Sequence, residues 1–194
     1  MLLSIVVPVY NEEENIANFY KAVTDVMSGL TYDYELIFVD DGSSDSSAMI
    51  LREIAFNDKH VKVLLLARNF GHQTALTCGL DYAHGDAVIT MDGDMQHPPA
   101  LIPELVRLWE SGYDVVRTIR DSTDDASWAK SFTSKYYYKL MNKMADVPIV
   151  EGGSDFRLMN SKALGTLKRF REHGRFLRGI VGALGYKIGR ASCR

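Results

Sequence analysis

The stretch from Ala87 to Pro99 reads AVITMDGDMQHPP and carries two carboxylates, Asp92 and Asp94, with one glycine between them. Two acids at this spacing can turn toward one hard divalent cation where the glycine lets the backbone bend sharply. Mg²⁺ typically takes one or two protein carboxylates and completes its shell with water and substrate phosphates. The stretch therefore reads as a site for a metal–diphosphate, with Mg²⁺ or Mn²⁺ as the cation. A surface turn with two solvated acids is the alternative for Asp-Gly-Asp taken alone. The residues in front favour the site. Ala87 to Met91 is a short, partly β-branched apolar run, the pattern of a buried strand. In open α/β sheets, ligands bind beyond the C-terminal ends of the strands.

Other polar groups follow the same rule. Asp40 and Asp41 end another apolar run, where an acid commonly accepts hydrogen bonds from a ribose or a base. The Asp-Gly-Ser that continues it is also a plain turn signal, and the two readings are compatible. Arg68, His72 and Gln73 lie after a third run. Arg68 has the chemistry to stack on a base or bond a phosphate, or it is a surface charge. His97 follows the acid pair as a ligand, a supporting group or neither. Asp155 sits in GGSDFRL, where it reads either as a general base toward an incoming hydroxyl or as the cap of the preceding turn.

The elements that must position these groups alternate regularly. Leu2 to Tyr10 is a nearly continuous apolar strand, as expected of a parallel sheet covered on both faces. Asn11 with Glu14 resembles a capping box opening a helix to about Met27. Strands are expected at Tyr34–Val39, Val61–Leu66, Ala87–Met91 and around Val115–Val116. Helices are expected at Ser46–Phe56, Gly71–Ala83 and Pro99–Trp109, the last with proline near its start. This alternation predicts a doubly wound, mainly parallel α/β sheet with helices on both faces. After Arg120 the pattern changes. A polar loop, 121–127, precedes an amphipathic helix at Trp128–Met144. Glu151–Met159 reads as an isolated strand, Ser161–Arg169 as a helix, and the closing GRASCR as neither helix end nor strand.

Composition excludes several classes. The chain has 194 residues, 46% of them hydrophobic and 24% charged, which suits a single globular domain. A net charge of −3 gives no basic field for nucleic acid. Cys78 and Cys193 are too few and too distant for a disulfide framework or a zinc site. No apolar run approaches the roughly 20 residues of a membrane span. The glycine-rich dinucleotide fingerprint is absent after the first strand, and so is the Gly-Lys-Ser/Thr phosphate loop. Those absences argue against a dehydrogenase and a nucleoside-triphosphate hydrolase. The second half is locally basic, with Arg117, Arg120, Lys130, Lys135, Arg157, Arg169, Arg171, Arg175 and Arg178. Mixed with tyrosines and apolar residues, these charges form either a solvated face or a membrane-interface surface.

Five linked strings carry a resemblance: SIVVPVYNE at 4–12, VDDGS at 39–43, RNFGHQ at 68–73, MDGDMQHPP at 91–99 and SDFRL at 154–158. In this order they resemble glycosyltransferase family 2, in its polyprenyl-phosphate branch of bactoprenol glucosyltransferases and dolichol-phosphate mannose synthases. The resemblance implies a GT-A fold, an inverting mechanism and a divalent metal. It implies that Pro8, Tyr10, Glu12, Asp40 and Arg68 hold the nucleotide, with Asp92 nearby. Asp94 would ligate the metal, and Asp155 matches the position of the base. Arg117, Arg120, Arg157 and Arg175 are the candidates for an acceptor phosphate. The implied reaction moves a hexose, glucose first, from a UDP-sugar to a polyprenyl phosphate at the cytoplasmic face of the cell membrane. One domain is expected, with a nucleotide-sugar half at 1–118 and an acceptor-facing half at 119–194, ending before a membrane part that many members carry. A family enzyme acting on a saccharide or lipid hydroxyl, and an idle sugar-nucleotide-binding domain, are the alternatives. The residues leave oligomeric state open, a homo-oligomer included.

Overall fold

A computed structural model describes residues 1–120, 153–170 and 177–193. The described strands are β1 (Leu2–Val9), β2 (Asp33–Asp40), β3 (Val61–Leu65), β4 (Ala87–Thr90), β5 (Val115–Arg120), β6 (Gly153–Asn160) and β7 (Ile188–Cys193). The described helices are α1 (Ile16–Ser28), α2 (Ser47–Asn57), α3 (His72–Tyr82), α4 (Ile102–Glu110), α5 (Ser161–Leu167) and α6 (Leu177–Ala183). The strands form one sheet in the order β3-β2-β1-β4-β6-β5-β7. β1 to β4 are mutually parallel, β6 runs antiparallel to both β4 and β5, and β7 pairs parallel with β5. The helix expected at Trp128–Met144 lies outside the described residues.

β1 explains the layering. Its residues are apolar almost without interruption because both faces are covered. Leu3, Ile5, Val7 and Val9 pack with Ile16, Phe19 and Val23 of α1, Leu51 of α2 and Leu105 of α4. Val6, on the opposite face, packs with Ala75, Leu76 and Leu80 of α3 and with α5 and α6. α3 lies close to the sheet because Gly79 faces it. A Cβ there would stand 2.3 Å from Val6 Cγ1 and 2.9 Å from Val39 Cγ2.

Four local expectations change. The first helix begins at Ile16, not at Asn11. Asn11 takes φ 53°, and its Oδ1 accepts a bond from the Ser44 N–H at 2.8 Å, so it joins two loops and caps no helix. The fifth strand runs on to Arg120, paired on both sides. β6 is not isolated; it is inserted between β4 and β5. GRASCR contributes to an edge strand, β7, despite its glycine, because the Tyr113 ring fills the space beside Gly189. A Cβ on Gly189 would lie 3.0 Å from Tyr113 Cγ.

The edge of the sheet away from the strand C-termini is closed by a buried acid. Glu35 is 5% exposed and accepts bonds from Ser4 Oγ, from Lys62 Nζ at 2.6 Å and from the His84 N–H at 2.8 Å. Burial alone would raise its pKa, but the donors from Lys62, Ser4 and His84 outweigh it and hold the group below its ordinary value. A carboxyl with a depressed folded pKa stabilises the fold above its unfolded value, near 4.5, and that stability is lost as pH falls through the folded value. Glu35→Gln is therefore expected to lower stability at pH 7 by about 1–3 kcal/mol. It should also flatten the acid limb of a urea-denaturation series between about pH 5 and pH 3. A variant with an unchanged acid limb would show that Glu35 does not carry this dependence.

Candidate active site

The C-terminal ends of β1, β2 and β4 and the N-terminal start of β6 open onto one cavity of about 480 Å³. Pro8, Tyr10 and Glu12 line it from β1 and the turn beyond. Asn69, Gly71, His72 and Gln73 line it from the α3 entry, and Asp92, Gly93 and Asp94 from the end of β4. Asp41 and Asp155 complete the wall. The sheet thus unites residues of all five sequence strings.

Asp41 shapes the α3 entry. Its two carboxylate oxygens accept the backbone N–H groups of Phe70 at 2.8 Å and Gly71 at 2.9 Å. Gly42, at φ +70°, lets the turn approach closely; a Cβ there would lie 2.4 Å from the Arg68 carbonyl carbon. The neighbouring Asp40, 3% exposed, does not line the cavity. Its Oδ2 accepts the Ser43 N–H at 3.3 Å, and its Oδ1 is buried without a partner among the described residues. Arg68 lies outside the cavity lining, with its guanidinium over the Phe70 ring at 4.2 Å. Residue type alone did not separate Asp41 from Asp40. The glycine that follows, with the tight approach it enables, is the feature that does.

The acid pair is not bent by Gly93. That residue packs over Val7, where a Cβ would stand 3.3 Å from Cγ1, and its φ is not in the left-handed region. The turn is made at Met95, with φ 60°, while Asp94 Oδ1 accepts the Gln96 N–H at 2.9 Å. Asp92 Oδ1 meets His72 Nε2 at 2.7 Å. His72 Nδ1 stands 4.0 Å from Asp155 Oδ2, and Gln73 Nε2 donates to the same oxygen at 3.4 Å. The other oxygen, Oδ1, accepts from Arg157 on the same strand. Asp155 and Arg157 are 2% and 5% exposed, so this ion pair is buried at the cavity wall. His72 and Gln73, noticed in the sequence but given no definite role, are the links between the Asp92 and Asp155 sides. His97 is buried beside the Phe156 ring, centroids 5.7 Å apart, in a supporting place behind the wall.

Glu12, Asp41, Asp92, Asp94 and Asp155 make the cavity rich in carboxylates. Among the described residues no group of three or more His, Cys, Asp or Glu converges as a metal cage. The donor set fits a cation that takes one or two carboxylates and otherwise water and phosphate. Asp92 and Asp94 each retain one carboxylate oxygen outside the bonds just given.

Arg117 is half-buried on β5, and Arg157 lies beside it on β6. Arg120 closes β5, and Arg175 lies outside the described residues.

A central parallel sheet with an acid-lined cleft at its carboxyl edge defines a ligand-binding α/β protein of the GT-A kind. Residues 4–167 match Glycosyl transferase family 2, and the chain belongs to that family. It is 44% identical over 184 residues to the uncharacterized glycosyltransferase YkcC of Bacillus subtilis, covering 95% of this chain and 57% of that relative. It is 40% identical over 185 residues to the bactoprenol glucosyl transferase of Shigella phage SfV, covering 95% of this chain and 60% of that protein. The chain thus spans less than two thirds of these relatives. Among solved structures, S. aureus TarS 1-349 in complex with UDP superposes with a TM-score of 0.64 at 18% identity, over 100% of this chain and 59% of that one. The mannosyltransferase PcManGT from Pyrobaculum calidifontis, in complex with GDP-Man and Mn²⁺, gives 0.63 at 19% identity, over 98% of this chain and 54% of that one. These likenesses carry the fold.

The Asp41 bonds give the first test of the site. Asp41→Ala should speed amide hydrogen exchange at Phe70 by about tenfold or more, because that donor loses its acceptor, and by less at Gly71, whose N–H also reaches Asn69 Oδ1 at 3.0 Å. The α3 core positions Ala75 to Leu80 should stay protected. Unchanged exchange at 70 and 71 would show that other contacts hold this loop.

Proposed function

We propose that the chain transfers glucose, with inversion, from a UDP-sugar to a polyprenyl phosphate. The observation that carries this reading is the acid pair, Asp92 and Asp94, facing Asp155 across one cleft at the carboxyl edge of the sheet. The name of the Shigella phage relative supports the acceptor, and the UDP complex of TarS is consistent with the donor. In this reading residues 1–118 bind the nucleotide sugar and 119–194 face the acceptor, in one domain. No described helix is long and apolar enough to cross a membrane. The membrane surface enters the proposal through the lipid acceptor.

Tyr10 and Glu12 lie where they can border the nucleotide, beside Pro8. The buried Asp40 Oδ1 lacks a donor among the described residues, and a ribose hydroxyl or base N–H is the kind of group that would satisfy it. Asp94 and Asp92 would hold Mg²⁺ or Mn²⁺, which when bound neutralises charge on the leaving diphosphate. An acceptor phosphate oxygen forms a bond to the anomeric carbon while the bond from that carbon to the diphosphate oxygen breaks. The electron pair leaves with UDP through an oxocarbenium-like transition state. A phosphate monoester has its second pKa near 6, so the attacking oxygen is mostly ionised at pH 7 and needs no base. Asp155 fits that chemistry. Arg157 and Gln73 already donate to its two oxygens, so it is arranged to hold Arg157 at the cavity wall.

Two measurements test this. With Mn²⁺, a panel of nucleotide sugars and undecaprenyl phosphate, UDP-glucose should yield a glycolipid by mass spectrometry. Product on undecaprenol or a free saccharide, with none on the phosphate, would overturn the acceptor assignment. In calorimetry, Asp94→Ala should lose the Mn²⁺-dependent part of UDP binding while melting like the parent. Metal dependence that survives the substitution would remove Asp94 from the metal site.

A further inference from the structure

Three arginines stand in one row across three strands. In the register of the sheet Arg117 on β5 is paired with Arg157 on β6 and with Arg190 on β7. Paired residues point to the same face, and so do residues two apart on a strand. Val115, Met159 and Ile188, each two residues away along its strand, lie in the core under α3, α5 and α6, so the arginine row is on that face. The row continues to Thr90, the last residue of β4 before the turn that bears Asp92. It therefore runs outward from the cavity wall.

Its charges are balanced at one end and not at the other. Arg157 is paired with Asp155. Arg117 and Arg190 have no hydrogen bond or ion pair among the described residues. Like charges directly opposite on neighbouring strands are destabilising, and arginine cannot relieve them by losing its proton. Burial, and then the charge of Arg190, push the Arg117 guanidinium below its ordinary pKa. Arg117 is half-buried and Arg190 exposed, so the pair is open to solvent on one side. An anion placed between the two guanidinium groups would relieve this repulsion.

We propose that Arg117 and Arg190 form an anion site for a phosphate monoester. Two guanidinium forks match the planar, bidentate recognition of phosphate oxygens, and their summed charge matches a group carrying −1.5 to −2 at pH 7. The identity of the bearer, the acceptor lipid phosphate, rests on the function proposed above; the anion site rests on the arginines alone. Arg190 was not among the residues picked out in the sequence, because its strand was not expected.

The test uses Arg190→Gln, an exposed edge position, with Arg117→Gln as a second variant. At low salt, removing one of two opposed cations should raise the melting temperature of Arg190→Gln. Inorganic phosphate should stabilise the parent more than chloride at equal ionic strength, and this difference should shrink in both variants. In the transfer assay, KM for a short-chain polyprenyl phosphate should rise about 10- to 100-fold, with KM for the nucleotide sugar unchanged. Inorganic phosphate should compete with the lipid in the parent if the headgroup is the ligand. A lower melting temperature for Arg190→Gln would reveal an acidic partner and overturn the site. So would equal phosphate stabilisation of parent and variants, or an unchanged acceptor KM in both. If no glycolipid forms but phosphate stabilisation is lost in the variants, the lipid reading fails and the anion site stands.

Discussion

The reversal of β6 is the constraint on which the site depends. A parallel strand in its place would bring its last residues to the carboxyl edge. Running against β4 and β5, β6 brings its first residues there instead, so Asp155 faces the Asp92–Asp94 turn. The register is held by side chain as well as ladder. Thr90 Oγ1 donates to the Asp155 carbonyl on one side of β6, and Thr118 Oγ1 to the Phe156 carbonyl on the other. A slip by one residue would turn Asp155 and Arg157 into the core that holds Phe156 and Leu158. Register is thus coupled to hydrophobic burial, which fixes where Asp155 stands at the carboxyl edge.

Charge is then sorted along that edge. Acids gather where β1, β2 and β4 end, and arginines gather on β6, β5 and β7. Asp155 and Arg157 are the seam, a buried pair with one member of each kind. Breaking such a pair by removing one partner leaves an uncompensated buried charge, which typically costs about 3–5 kcal/mol. The pair is therefore costly to separate, and the proposed reaction, in which a sugar leaves a diphosphate for a second phosphate, would place one anion on each side of it. In that reading the division of charge would give each anion its own partner.

Much of this was legible in the residues. The β-branched runs ending in Asp40 and Asp92 marked both the strands and the edge, because burial on both faces and abrupt polarity leave a clear pattern. What escaped notice depended on contacts between distant segments. Asn11 looked like a helix cap, yet its left-handed turn serves Ser44, thirty-three positions on. Gly93 looked like the bend, yet Met95 makes it. GRASCR looked like neither a helix end nor a strand, yet it completes β7, with the Tyr113 ring packed beside Gly189. Without β7, the cross-strand partner of Arg117 had no place in the sequence reading.

The two ends of the sheet differ in how completely their polar groups are matched. At the end away from the cavity, Glu35 accepts from three donors, and Asp58 accepts from Tyr20 and from the backbone and ring of His60. Those acids are consumed within the fold, and burial with the Asp58 contacts pushes the Tyr20 hydroxyl up to about 12. At the carboxyl edge, Asp40 Oδ1 and Gln73 Oε1 are buried without partners, and Arg117 and Arg190 lack counter-charges among the described residues. An unsatisfied buried acceptor or an uncompensated cation each costs stability in isolation. Both kinds fall on the same edge, on either side of the Asp155–Arg157 pair. Under the proposed function, a sugar or ribose hydroxyl would donate to the acceptors and a phosphate would meet the cations. The polar groups that the fold leaves unmatched thus fall together at the edge where the proposed transfer would take place.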